Sequence, residues 1–175
     1  MTIKVLEKTP GCLPEIIEKG DWCDLIRAEE ITLKEPIATT LQRHRKNGEE
    51  ERTRKVIFDY KLIPLGVCIE VPKGYESILV PRSSTFKKYG IIQTNSEGII
   101  DQTYSSDEDE WKMPVAATRA VTIPKGTRIA QFRVQLSQKA TFWQKIKWLF
   151  SGPFKIKKVE SLSNPVREGF GSTGD

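Results

Sequence analysis

The sequence predicts an all-β domain, a barrel or sandwich built from many short strands. Two observations carry that expectation. Short runs rich in Ile, Val, Leu and Tyr recur along the chain, and turns containing Gly and Pro separate them. Only the segment around residues 141–150 places its apolar residues at helical spacing.

Taken in order, Ile3-Lys-Val-Leu6 alternates as a first strand. Residues 60–70 are β-rich, and Pro64 within them marks an edge or a bend. Val71-Pro-Lys-Gly-Tyr75 reads as a turn, and Ser77-Ile-Leu-Val80 as the strand that follows. Residues 111–121 and 128–136 are two further strands, joined by the Pro124-Lys-Gly126 turn. Two stretches read as insertions. Residues 41–55 are dense in charge of both signs, as expected of a solvated loop or hairpin tip. In residues 141–158, Phe142, Trp143, Ile146, Leu149 and Phe150 share one helical face, with Lys145 and Lys147 off it. Ser151-Gly-Pro153 stops that helix. Its apolar face is expected to pack on the barrel or a partner subunit, ahead of a separate protein partner and of a membrane surface.

Composition narrows the function. A chain of 175 residues suffices for one domain with its own core. No apolar run approaches the length of a membrane span, and Met1-Thr-Ile-Lys-Val-Leu-Glu-Lys8 lacks the apolar stretch of a signal peptide. Cys12, Cys23 and Cys68 are scattered, which fits reduced thiols filling a core in a cytoplasmic protein. His44 is the single histidine, so a Ser-His triad or a histidine-ligated zinc is not expected. The net charge is +5. Lys145, Lys147, Lys155, Lys157 and Lys158 lie in a segment with no acid and account for the surplus, so no general nucleic-acid face is indicated. Asp107-Glu-Asp-Glu110 reads as a solvated loop, because four consecutive acids cannot all face one ion. No Gly-x-x-x-x-Gly-Lys-Ser/Thr phosphate loop is present.

The densest chemistry lies in residues 81–104. Pro81-Arg-Ser-Ser84 is followed, ten residues on, by Asn95-Ser-Glu-Gly-Ile-Ile-Asp-Gln-Thr-Tyr104. A cation, hydroxyls, a carboxylate and an aromatic ring are the parts needed to hold a polyphosphate, activate a water and stack on a nucleoside. Gly169-Phe-Gly-Ser-Thr-Gly174 supplies a second phosphate cradle of backbone amides.

With Gly20-Asp-Trp-Cys-Asp-Leu25 and Arg128-Ile-Ala-Gln131, and with the last segment taken from Arg167 to Gly174, these segments form five motifs in order. The set resembles the trimeric dUTPases. The resemblance implies a jelly-roll-like distorted barrel over residues 1–165 and a glycine-rich arm over 166–175. It also implies a homotrimer with active sites at subunit interfaces, and hydrolysis of dUTP to dUMP and pyrophosphate. Asp101 is then the general base for a water attacking the α-phosphorus. Tyr104 packs on the deoxyribose and excludes a 2′-hydroxyl. Asn95, Gly98, Ile99, Ile100 and Asp101 form a hairpin that holds uracil by main-chain groups, with Gly98 permitting close approach. Met113 joins this set. Arg82, Ser83 and Ser84 meet the phosphates, Ser83 donating near the bridging oxygen. Gln131, at a strand end, donates to a phosphate. Asp24 orients neighbours or metal-bound waters. In the arm, Phe170 caps the uracil, Gly171, Ser172 and Thr173 wrap the phosphates, and Arg167 clamps the γ-phosphate. Magnesium is expected, held by phosphates and waters without direct protein ligands.

Two competitors carry different chemistry. A dCTP deaminase of the same fold needs a glutamate on the strand after the third motif, and residues 111–119 contain none. A nucleotide-gated regulatory binder, with the two insertions meeting a protein partner, adds to catalysis more readily than it replaces it.

Overall fold

The computed structural model describes residues 1–17, 20–44 and 50–167. Its first strands are β1 (Thr2–Glu7), β2 (Glu15–Ile16), β3 (Cys23–Ile26), β4 (Ile31–Leu33), β5 (Ile37–His44) and β6 (Glu50–Ile57). Then come β7 (Tyr60–Pro64), β8 (Val67–Glu70), β9 (Tyr75–Pro81), helix α1 (Thr85–Tyr89), β10 (Ile91–Gln93) and β11 (Gly98–Asp101). The chain closes with β12 (Lys112–Ala117), β13 (Val121–Ile123), β14 (Arg128–Leu136), helix α2 (Phe142–Leu149) and β15 (Lys155–Val159). The all-β expectation holds.

The largest sheet has the order β11-β9-β14-β3-β2, and all its pairings are antiparallel. Two three-stranded sheets, β15-β1-β8 and β10-β12-β7, enclose the core with it. Alternation explains the enclosure: in β1 Ile3 and Val5 are buried while Thr2 and Lys4 face water. The rings of Trp111 and Phe132 meet edge to face at 5.1 Å in the centre. Cys12, Cys23 and Cys68 are free and buried, and burial pushes the Cys23 and Cys68 thiols up to about 12. They are core fillers, as expected of such unreactive thiols.

Several boundaries differ from the sequence expectation. Residues 60–70 are two strands, because the chain turns at Gly66 (φ 70°). Residues 111–121 divide between β12 and β13, which join different neighbours. Residues 41–55 include long paired strands of the β5–β6 hairpin, so the segment is more than a loop. Its tip, 45–49, is outside the described residues. Residues 155–158 belong to β15, which runs parallel to β1 with Lys158 bonded to Glu7. The end of the basic segment is therefore barrel sheet.

Helix α2 forms where spacing predicts it, but docks by another face. Thr141 caps it: Gln144 N donates to Thr141 Oγ1, and Thr141 N donates to Gln144 Oε1. Gln144 Nε2 donates to Lys73 O, over Gly74, where a Cβ would lie 2.4 Å from the Gln144 side chain. Trp148 packs on the core with its ring 5.5 Å from that of Tyr75. Phe142, Trp143, Leu149 and Phe150 are all more than two-thirds exposed. The predicted face carries the larger apolar area, but the polar anchor at Gln144 fixes the rotation.

Asp107-Glu-Asp-Glu110 is not a solvated loop. Asp107 accepts from Leu162 N and Ser161 Oγ, and Asp109, which is buried, accepts from Ser106 N and Arg167 N. Glu110 accepts from Gly66 N, and Glu108 pairs with Lys8. Each carboxylate satisfies different donors: Asp107 and Asp109 clasp the C-terminal segment, while Glu110 and Glu108 hold Gly66 and Lys8.

Candidate active site

Two groups of predicted residues form in the chain, at opposite ends of β9. At one end, β3, β14 and β9 lie side by side. Asp24 is opposite Gln131, and Gln131 is opposite Val80. Asp24 is only 2% exposed. Its Oδ1 lies 2.9 Å from Arg82 Nε. Its Oδ2 lies 3.5 Å from Arg128 Nη1 and accepts no hydrogen bond among the described residues. Arg128 Nη1 also reaches Glu15 at 3.0 Å. The backbone beyond β9 is fixed as well: Arg82 N and Thr85 Oγ1 both donate to Ile129 O. Ser83 is exposed in this turn, and Ser84 precedes α1. The result is two arginines aimed by one buried carboxylate, with Gln131 beside it. Gln131 sits inside β14, three residues from its start, so the strand-end placement is corrected.

At the other end, Asp101 closes β11 opposite Glu76. Its Oδ1 accepts from Thr103 N at 2.7 Å and from Thr103 Oγ1 at 2.5 Å. Arg167 Nη1 lies 2.8 Å from both carboxylate oxygens and donates to Thr103 Oγ1 as well. Burial pulls the carboxyl up, but the bonds from Thr103 and Arg167 outweigh it and hold Asp101 at about 2. Tyr104 turns back on Asp101, its N–H donating to Asp101 O. Its hydroxyl donates to Glu110 O at 3.0 Å, and its ring packs against the core. Burial, reinforced by Asp109, pushes the phenol up to about 12, so it stays protonated and donating.

Residues 95–101 are not a two-stranded hairpin. β10 bonds to β12 and β11 to β9, so the chain arches from one sheet to another. Asn95 and Ile99 are exposed on this arch, and Ile100 packs against the core. Gly98 is buried, and a Cβ there would lie 3.2 Å from Leu79 Cβ. Close approach is thus required by β9. Met113 is corrected outright: it is fully buried on β12 opposite Ile63 and belongs to the core. Phe170, Gly171, Ser172 and Thr173 lie outside the described residues.

The distance between the groups follows from register. Asp101 faces Glu76, and Arg82, six residues further on, directly follows the last residue of the same strand. At about 3.3 Å per residue the two ends are roughly 20 Å apart. Sequence reasoning assigned no role to Arg128, Thr103 or Asp109. Arg128 opens the fourth motif, so its position was marked; Thr103 lies two residues from Asp101 and bonds to it locally, whereas the contact of Asp109 with Arg167 is one that only the fold brings about.

A β-barrel presenting an arginine pair at one end and a depressed carboxylate beside an aromatic ring at the other defines a phosphate-handling enzyme. The comparisons make this specific. The dUTPase family model matches residues 49–147. An SPbeta prophage-derived deoxyuridine 5'-triphosphate nucleotidohydrolase of Bacillus subtilis (strain 168) is 38% identical over 172 residues, covering 98% of this chain and 96% of the relative. A deoxyuridine 5'-triphosphate nucleotidohydrolase of Rickettsia akari is 33% identical, with coverage of 98% and 95%. Among solved structures, the dUTPase of Streptococcus mutans aligns with a TM-score of 0.59 at 19% identity, covering 78% of this chain and 95% of that one. A mutant dUTPase of phage phi11 of S. aureus, described as coordinating a structural Mg(II) ion, aligns at 0.60 with 15% identity over 81% and 95%. The chain belongs to the dUTPase family.

Proposed function

We propose that this dUTPase hydrolyses dUTP to dUMP and pyrophosphate at a composite site that two ends of β9, on different copies of the chain, complete together. The observation that carries the composite site is the separation just described. The base and the phosphate arginines are about 20 Å apart in one chain, much further than the span from an α-phosphorus to its attacking water. A symmetric oligomer brings the Asp101 end of one copy to the Arg82 end of the next. The family resemblance makes that oligomer a trimer.

In this reading Arg82 and Arg128, with Gln131 and Ser83, bind the triphosphate. Asp24 holds the two guanidinium groups in place. The donor set suits phosphate oxygens, so magnesium would be held by the phosphates and waters, and Asp24, whose Oδ2 accepts no hydrogen bond among the described residues, would orient those waters. The ion neutralises triphosphate charge when bound. Asp101 takes the proton from water attacking the α-phosphorus. An arginine-paired carboxylate at about 2 is a poor base. The arriving triphosphate must therefore draw Arg167 away, which lifts part of that lowering, the Thr103 bonds remaining, and places a cation on the phosphates. Tyr104 packs on the sugar, and Asn95 with Gly98 to Ile100 meets the uracil. The arm beyond residue 167 then closes over the substrate.

Pyrophosphate release from dUTP tests the activity, and ammonia release from dCTP is expected to be absent. Mixing tests the composite site. Asp101→Asn and Arg82→Ala chains are each expected to have little activity alone. If chains share sites, equal mixing and exchange of subunits restores about one quarter of wild-type activity. No recovery, with mixed oligomers confirmed by mass, refutes sharing.

A further inference from the structure

Gln93 ends β10 and is 5% exposed, a polar side chain inside an otherwise apolar layer. Its Nε2 donates to Leu79 O at 3.1 Å and to Asn95 Oδ1 at 2.9 Å. Its Oε1 is buried and accepts nothing among the described residues. An amide buried with one orphaned acceptor is costly. What that arrangement does is fix a direction.

Leu79 O is a main-chain carbonyl and can only accept. The NH₂ group of Gln93 must therefore face it, and its second hydrogen is left for Asn95. Asn95 in turn must offer Oδ1 to Gln93. Its own NH₂ is then the end that points away, on an exposed residue of the arch. The backbone keeps the arch in place around it: Thr94 N donates to Pro114 O and Glu97 N to Asn95 O. An asparagine that could present either end of its amide is reduced to presenting donors.

We infer that Gln93 is a positioning residue for base selectivity: it locks the Asn95 amide donor-outward, so that it donates to the O4 carbonyl of uracil and rejects the N4 amino group of cytosine. This rests on the reading that Asn95 meets the base. A donor facing O4 makes a hydrogen bond. The same donor facing an amino group leaves two donors opposed and buried, which costs roughly ten- to hundredfold in affinity. Main-chain groups of the arch select the ring; the Gln93–Asn95 pair reads its 4-position.

The test uses the full-length enzyme and compares inhibition of dUTP turnover by dUMP and by dCMP, so it does not depend on any turnover of a cytosine substrate. Gln93→Met keeps the shape, removes the orphaned oxygen and is expected to fold at least as well. It frees the Asn95 amide to rotate, so the dCMP-to-dUMP ratio of inhibition constants is expected to fall about tenfold. Gln93→Glu buries a carboxyl that turns an acceptor toward Asn95 and rotates it, and lowers the ratio further. Gln93→Leu serves if the glutamate variant fails to fold. Asn95→Ala separates the two layers of the argument. If it leaves the ratio unchanged, Asn95 does not touch the base and the underlying reading fails. If it lowers the ratio while folded Gln93→Met keeps the wild-type value, Asn95 reads the base without help and the role of Gln93 is refuted. Adding Gln93→Met to Asn95→Ala is expected to change nothing more; a further drop also refutes it.

Discussion

The arch between β10 and β11 and the helix α2 are held to the same barrel in opposite ways. The functional side chains of the arch and its flanks are tied by directional bonds: Gln93 to Leu79 and Asn95, Tyr104 to Glu110, Asp101 to Arg167. Helix α2 is closed by its own capping box and touches the barrel through Gln144 and Trp148, while four large apolar side chains face water. Position is over-determined in the arch and under-determined in the helix. Chemistry at a reacting phosphorus needs the former, since misplacement by one ångström is costly. An element with few anchors tolerates change without loss of catalysis.

The largest effect should come from breaking the arch where it does chemistry. Asp101→Asn keeps shape and loses proton acceptance. Turnover is expected to fall by roughly two to four decades, with dUMP binding little changed. Pyrophosphate release together with a titration checks both halves. A variant near wild-type rate removes Asp101 from the role of base.

Truncation before Arg167 should follow, at roughly a hundredfold in turnover. Among the described residues no strand lies beyond β15, so the core and the oligomer are expected to survive, by gel filtration and melting. Proteolysis distinguishes closure from passive attachment. Cutting beyond residue 167 is expected in the free enzyme, and protection with magnesium and a non-hydrolysable dUTP analogue. Equal cutting in both states, or full activity after truncation, argues against an arm that closes.

The helix predicts a contrast within one turn and a half. Trp148→Ala removes the ring that packs on Tyr75 and is expected to destabilise by about 2 kcal/mol, below the range for a fully buried tryptophan. Trp143→Ser alters a residue 75% exposed and is expected to stay within about 0.5 kcal/mol. Both should keep wild-type turnover. If Trp143→Ser is the more damaging in the assembled protein, a neighbouring copy covers that face and the helix is better anchored than one chain shows.

What could be read from the sequence divides along the same line. Asp101, Tyr104, Arg82 and Asp24 were marked by motif spacing, which reports chemistry whatever the packing. The length and stop of α2 were marked by periodicity and by Ser151-Gly-Pro153. Its docking face was not, because one polar anchor, Gln144 on Lys73, outweighed the broader apolar stripe. Met113 looked like a site neighbour and is core, since its strand is buried at Met113, Pro114 and Val115 alike. The acidic run looked solvated because most of its partners, Leu162, Arg167, Gly66 and Lys8 among them, are far away in sequence. Gln93 carried no signal at all; a glutamine in a strand becomes informative only when Leu79 O is seen beside it.

The smallest expected effect concerns the contact that joins the arch to the C-terminal segment. Asp101 is held at about 2, below the roughly 3.9 of an unfolded chain. A lowered carboxyl stabilises the fold fully above the unfolded value, and that contribution disappears as the pH falls through the folded one. The window is therefore about pH 4 down to pH 2. Because both partners are nearly half exposed, solvent screening keeps the contribution small. Arg167→Gln removes one of the two partners that lower Asp101, although Thr103 still donates to it. Melting temperatures of wild type and variant should differ by a small, constant amount above pH 4. The two curves should converge as the pH approaches 2, and the gap above pH 4 should also narrow in high salt. A gap that is unchanged at pH 2 would mean that Arg167 acts through its packing, and the electrostatic tie between arm and base would have to be abandoned.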